Sequence, residues 1–547
     1  GKIAGLDAEE LRVALNEIEA IVTVLQKIGS YAWLIWSTDS QNPELGKLLA
    51  KAQEHEAKIS QTVLFFELEW ANAPDEVEKL ADHPVLEPYR HYLKIERLNK
   101  PYRLSEPEEK LMSQMDLSGA SGWTRYFGEV MSNQRFPWEG EEITQSEILS
   151  KVKDPDREIR RRAADVITDV LTKNLHTTTF VFNMILLDKS SRDNIRGYKN
   201  WVSSRNLANQ VDDATVEALI DAVTGRYDIV ARYYRLLKKV LGYDELYDYD
   251  RYAPVEETQI DISWGEARDI VLNSFSGFDP RMADIAGQFF EKNWIDAAIH
   301  MGKRGGAYSA STSARVHPYI FMNYDGHATD VMTLAHELGH GVHQYLSRDK
   351  GELQAHTPLT TAEMASTFGE MLVFDYLTAR TDDPAVRFSM RMEKITDTFA
   401  TIFRQVSMNR FENAIHTARR EQGELSSEQL SDSWQQTQQA MFRDSVIIRD
   451  DYRIWWSYIP HFLNTPGYVY AYAFGELLVW ALYARYQKSQ NGFAERYLDV
   501  LRAGGSDWPH NILAPLDVDL KDPQFWHEGL GLIENFVTET EKDAESL

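Results

Sequence analysis

Val331-Met-Thr-Leu-Ala-His-Glu-Leu-Gly-His-Gly-Val-His-Gln-Tyr-Leu346 is the stretch on which the reading of this chain turns. Leu334, Leu338 and Val342 recur at four-residue steps, the apolar stripe of a helix that buries one side. His336 and His340, also four apart, project together from another side of the same helix. Imidazoles on adjacent turns are spaced to share one zinc ion. Glu337, beside the first of them, is placed to hold the attacking water and take its proton.

The residues that follow narrow the class. A metzincin needs glycine three residues, and histidine six residues, after the second ligand. His343 and Leu346 stand there, so that class is excluded, and His343 reads as a residue that packs or supports the ligands by hydrogen bonding rather than as a ligand. The third ligand is then expected from a neighbouring helix. Thr360-Thr-Ala-Glu-Met-Ala-Ser-Thr-Phe-Gly-Glu370 supplies one, with Thr360 and Glu363 spaced as a capping box. Glu363, Ser366 and Glu370 share a face. Glu363 is the expected ligand and Glu370 its substitute; otherwise Ser366 and Glu370 orient the ligands by hydrogen bonding. Asp330 either does the same for His336 or serves as a helix N-terminal acid.

Outside this region the pattern is almost wholly helical. Leu11 to Leu25, Pro43 to Leu68, Arg157 to Leu187 and Asp213 to Leu241 all carry helical apolar spacing. One strand signal stands out, His317-Pro-Tyr-Ile-Phe-Met-Asn-Tyr324, preceded by the glycine- and serine-rich Gly302–Ser311 loop. The expected fold is therefore mainly α with a small β-sheet beside the zinc site. The polar segment Ser132 to Ser146 predicts a boundary between an N-terminal helical domain, 1–140, and a catalytic domain, 141–547, whose site core spans about 300–485.

Composition limits the partners. The 547 residues include 84 acidic and 58 basic side chains, a formal net charge of −26. Such a surface repels phosphate backbones and anionic headgroups, so nucleic acid and membrane are not expected partners. The absence of cysteine removes thiolate metal sites, disulfides and cysteine nucleophiles, and fits a reducing cytoplasm. No signal-peptide pattern opens the sequence. The most apolar run, Gly467 to Tyr486, has Glu476 in its middle and reads as a buried helix rather than a membrane span.

HELGH with Glu363 in an ExxS pattern 23 residues after the second histidine resembles the oligoendopeptidase F branch of the thimet oligopeptidase family. Asp330-Val-Met-Thr-Leu-Ala-His-Glu337, His317-Pro-Tyr319 and Tyr468-Val-Tyr-Ala-Tyr-Ala-Phe-Gly475 are similar to that branch too, and the resemblance runs from about residue 90 to 540. It implies a two-lobed helical ellipsoid enclosing a deep channel that admits short unstructured peptides. It implies one zinc ion per chain on His336, His340 and Glu363, with Glu337 as general base. It also implies that His461, Tyr468 and Tyr472 contact the substrate and stabilise the tetrahedral intermediate.

Ile459-Pro-His-Phe-Leu-Asn-Thr-Pro-Gly467 is a proline-punctuated loop suited to projecting such groups, whereas Tyr470 reads as a core aromatic. One departure stands out: the branch usually has a bulky aromatic where this chain has Gly467. Backbone groups near Gly305 to Ala307 are expected to pair with an extended peptide. The function expected is a zinc endopeptidase acting on short peptides in the cytoplasm. The alternatives are an exopeptidase on the same scaffold or a catalytically silent peptide-binding protein.

Overall fold

The computed structural model describes residues 2–255 and 261–547. Helices dominate and follow the apolar stripes. Ala8–Thr38 opens on a capping box in which Asp7 accepts from the Glu10 amide and Glu10 accepts from that of Asp7. Pro43–Asn72 starts with Asn42 as cap and proline at its first position. Arg157–Arg196 ends where Gly197 turns left-handed, φ 78°. The stripe from 213 to 241 is two helices rather than one, Asp213–Gly225 and Tyr227–Val240. Arg226 breaks it at φ −115° and ψ 27°, just after a poor helix former, Gly225. The apolar run from Gly467 is the helix Tyr470–Lys488, with Phe474, Leu477, Leu478 and Val479 fully buried.

Among the described residues, two small sheets complete the fold. Strands β1 (Phe136–Trp138) and β2 (Glu141–Ile143) make an antiparallel hairpin. Glu139 and Gly140 turn it at φ 52° and 90°, the geometry a tight hairpin requires. In the second sheet β3 (Ile295–Asp296) lies parallel, and β4 (Tyr308–Ala310) antiparallel, to the central β5 (Tyr319–Phe321). The strand is thus shorter than the 317–324 signal, and the glycine-rich loop contributes its partner β4. This sheet packs on the helix Ala328–Ser347, and Ser309 Oγ donates to Gln344 Oε1 at 2.8 Å.

The chain forms two compact units, each built from three segments. The first comprises Gly1–Pro101, Gln259–Asp382 and Leu478–Leu520; the second Tyr102–Thr258, Asp383–Leu477 and Lys521–Leu547. The predicted boundary at 140/141 falls in the β1–β2 turn, inside the second unit. Phe136 and Trp138 anchor that hairpin in a core with Ile167, Leu171, Phe182 and Trp456.

Candidate metal centre

The helix Ala328–Ser347 carries the HExxH residues within the first unit. Asp330 holds its start: Oδ2 accepts the amides of Asp325 at 2.9 Å and His327 at 3.0 Å. Of the two roles open to Asp330, it therefore fills the helix-capping one. Leu334, Leu338 and Val342 are completely buried. Gly339 and Gly369 let this helix and Met364–Thr378 approach closely. A Cβ at Gly339 would lie 2.3 Å from the Ala365 carbonyl oxygen and 2.6 Å from Ser366 Cα, and one at Gly369 would lie 3.0 Å from the Ala335 oxygen. The sequence signal for this contact was the glycine inside HELGH, a residue with no chemistry of its own.

That approach brings Glu363 to the histidines. Its Oε2 lies 3.3 Å from His336 Nε2 and 3.2 Å from His340 Nε2. The three ligand atoms lie within 4.8 Å of one another. Ser366 Oγ donates to Glu363 Oε2 at 2.8 Å, and His336 Nδ1 donates to Glu370 Oε1 at 2.5 Å. Ser366 and Glu370 thus orient their neighbours. Thr360 lies within the short turn Leu359–Ala362, which Pro358 precedes, and so does not stand at the N-cap that the expected capping box requires. Glu363 sits at a junction, φ −83° and ψ 3°, between the short turn Leu359–Ala362 and the helix Met364–Thr378, its carboxylate turned to the imidazoles.

The electrostatics suit a cation. Burial opposes charge on His336, but Glu363 and Glu370 outweigh it and push the imidazole up to about 10. Burial would raise Glu363, yet hydrogen bonds from both histidines hold it well below the usual carboxylate range. Glu337 is buried, which raises its carboxyl, and its Oε2 has no hydrogen-bond partner among the described residues. His343 is buried outside the cluster, its imidazole lowered to about 4 by burial and then by His340. Two imidazole nitrogens and a carboxylate oxygen, with His336 fixed through its other nitrogen, match the donor set of a catalytic zinc site with one open position.

His461, Tyr468 and Tyr472 gather in the second unit. The Tyr468 and Tyr472 rings meet edge to face at 5.0 Å, and the His461 ring lies 6.2 Å from that of Tyr472. Tyr472 is 38% exposed; burial first, and then Tyr468, raise its hydroxyl to about 12. Tyr470 is fully buried, its hydroxyl accepting from Asn209 Nδ2 at 2.9 Å, as a core residue does. In the first unit β4 is an edge strand. Within the loop before it, Asn323 Nδ2 donates to the carbonyls of Arg304 and Gly306, each at 3.0 Å.

Known proteins resemble this chain over most of its length. Residues 70–136 match the profile described as Oligopeptidase F, and residues 151–532 that of peptidase family M3. Oligopeptidase PepF of Bacillus subtilis is 27% identical over 99% of this chain and 82% of its own length. Two crystal structures share the fold. One, from Chlamydophila abortus and assigned as a peptidase, is 24% identical with a TM-score of 0.92, covering 98% of this chain and 91% of that one. The other, oligoendopeptidase-F from Enterococcus faecium, is 23% identical with a TM-score of 0.75, covering 100% and 95%. With more than half of its length matching one family profile, the chain belongs to peptidase family M3, a family of metallopeptidases.

Proposed function

We propose that this metallopeptidase hydrolyses internal peptide bonds of short, unstructured oligopeptides, with one zinc ion held by His336, His340 and Glu363. The observation that carries the reading is the convergence of three ligand atoms within 4.8 Å beside the buried Glu337, one of whose carboxylate oxygens has no partner among the described residues. Bound there, zinc would supply Lewis acidity, polarising a scissile carbonyl and making water easier to deprotonate. Glu370 fixes the His336 ring so that Nε2 faces Glu363. Glu337 takes the proton of the attacking water and passes it to the leaving amine; burial raises its affinity for that proton. Tyr468 or Tyr472 donates to the oxyanion, and His461 contacts the substrate beside them. The edge strand β4 and the adjoining loop near Gly305 to Ala307 pair with the extended peptide. The names of the relatives, oligopeptidase and oligoendopeptidase, support the substrate class. The cysteine-free composition supports work in the cytoplasm.

The test is an internally quenched peptide blocked at both ends, assayed with chelator and then with zinc restored, product masses being read out. Internal cleavage that the chelator abolishes and zinc restores is the expected result. Trimming of free-ended peptides alone would instead make the protein an exopeptidase. Glu337→Gln is expected to retain the metal and lose nearly all turnover, and a variant keeping most activity sinks the general-base assignment.

A further inference from the structure

Glu412 lies in the helix Phe403–Gln422 and is completely buried, at 0% exposure. A buried carboxyl group is costly unless its oxygens are bonded. Its Oε1 accepts the Gly467 N–H at 2.8 Å, whereas Oε2 has no hydrogen-bond partner among the described residues. Burial pushes the carboxyl up to about 8, against the weaker pull of the Gly467 amide and of Arg205. At neutral pH the side chain is chiefly a neutral acid. The hydrogen bond reaches across 55 residues of sequence and ends on the N–H of Gly467, the residue immediately before Tyr468.

Gly467 is braced from its other side as well. Its φ of 77° lies in the left-handed region. A Cβ there would stand 3.3 Å from both Trp201 Cζ3 and Val202 Cγ2. Trp201 is tied to the helix that carries Glu412: its indole stacks on His416 at 4.6 Å, and Nε1 donates to Asn413 Oδ1 at 2.9 Å. The Arg205 guanidinium lies 5.8 Å from the centre of the Tyr468 ring. One face of one helix therefore holds both the loop and the indole on which the loop leans. A side chain at 467 would crowd Trp201 and Val202 in a backbone conformation that already favours glycine.

We infer that Glu412 is a positioning residue for Tyr468 and Tyr472: by holding the Gly467 N–H it fixes the loop that carries Tyr468 and leads into the helix Tyr470–Lys488, which carries Tyr472. The inference rests on the reading above, in which these hydroxyls meet the substrate. It explains why an acid with no part in the chemistry is buried beside this loop. It also separates two tasks in the second unit: the tyrosines act on the substrate, and Glu412 acts only through them.

The experiment compares Glu412→Leu, Glu412→Gln, Tyr468→Phe and Tyr472→Phe on the internally quenched peptide, with kcat, KM, Tm and bound zinc measured for each. Glu412→Leu is expected to lower kcat on the order of 10- to 100-fold, with KM and zinc content little changed. Glu412→Gln, whose carbonyl accepts the same N–H, is expected to hold kcat within about threefold of the parent. A merely structural role would move Tm without this split between kcat and KM and without rescue by glutamine. Parental turnover by Glu412→Leu beside impaired tyrosine variants overturns the inference alone. Equal loss of kcat in the leucine and glutamine variants overturns it too. Parental turnover by both tyrosine variants overturns the tyrosine roles, and the inference with them. Should Glu412→Leu fail to fold, Gly467→Ala disturbs the same peptide from the Trp201 side. It is expected to lower kcat at unchanged KM, and parental kcat there overturns the inference.

Discussion

His336 is held from both ends of its ring, Nδ1 by Glu370 and Nε2 facing Glu363. A carboxylate behind an imidazole fixes its tautomer and raises its basicity, so Glu370→Gln should weaken zinc binding about 10- to 100-fold. Competition with a fluorescent chelator measures this, and an unchanged affinity removes Glu370 from the site. Glu412 gives a pH signature of its own. Its native carboxyl is raised from 4.5 to about 8. The folded state therefore keeps a proton that the unfolded chain releases above about 4.5. Its contribution to stability is fully present below that pH and is lost as pH rises to about 8. The Tm of Glu412→Gln minus that of the parent should accordingly widen between pH 5 and 8; a constant difference contradicts the buried neutral acid. The three HExxH residues were legible because their spacing is local. Glu412 was not, since its partner lies 55 residues away and no local pattern marks it.

Among the elements, two helices meet closely because each presents a glycine, Gly339 or Gly369, to the backbone of the other. At Gly339 an added methyl would overlap the Ala365 carbonyl, a backbone atom that moves only with its helix. Gly339→Ala should cost about 3 kcal/mol or more and draw Glu363 away from the histidines. Lower Tm together with weaker zinc binding is the expected pair of readouts; a parental Tm would mean that the helices part without penalty. Periodicity revealed the long helices but not the break at Arg226, because the apolar stripe runs on through it. The Thr360 to Glu363 spacing also fits a capping box, yet the two imidazoles hold the carboxylate that the box requires. The glycine-rich loop concealed β4 because its pairing depends on β5 rather than on its own composition. The polar 132–146 segment concealed a hairpin whose anchors, Phe136 and Trp138, are only two residues among many polar ones.

At the scale of the whole molecule, each unit draws on three separated stretches of chain, an interleaving that no compositional shift along the sequence announces. Net charge is legible from the sequence alone, and it has a consequence for substrate choice. At −26 the surface lowers the potential that an approaching peptide meets, favouring cationic over anionic substrates of equal length. The effect is long-range, so salt should screen it: the Debye length falls from about 10 Å at 0.1 M to about 3 Å at 1 M. Two blocked quenched peptides with the same cleavage sequence, one flanked by lysines and one by glutamates, isolate this contribution. The ratio of their kcat/KM values should favour the lysine peptide at low ionic strength and fall toward unity as salt rises. A preference that persists unchanged in high salt would instead require a direct contact between the flanking charge and a residue of the binding site. In that case local side chains, rather than the field of the whole protein, would set the choice of peptide.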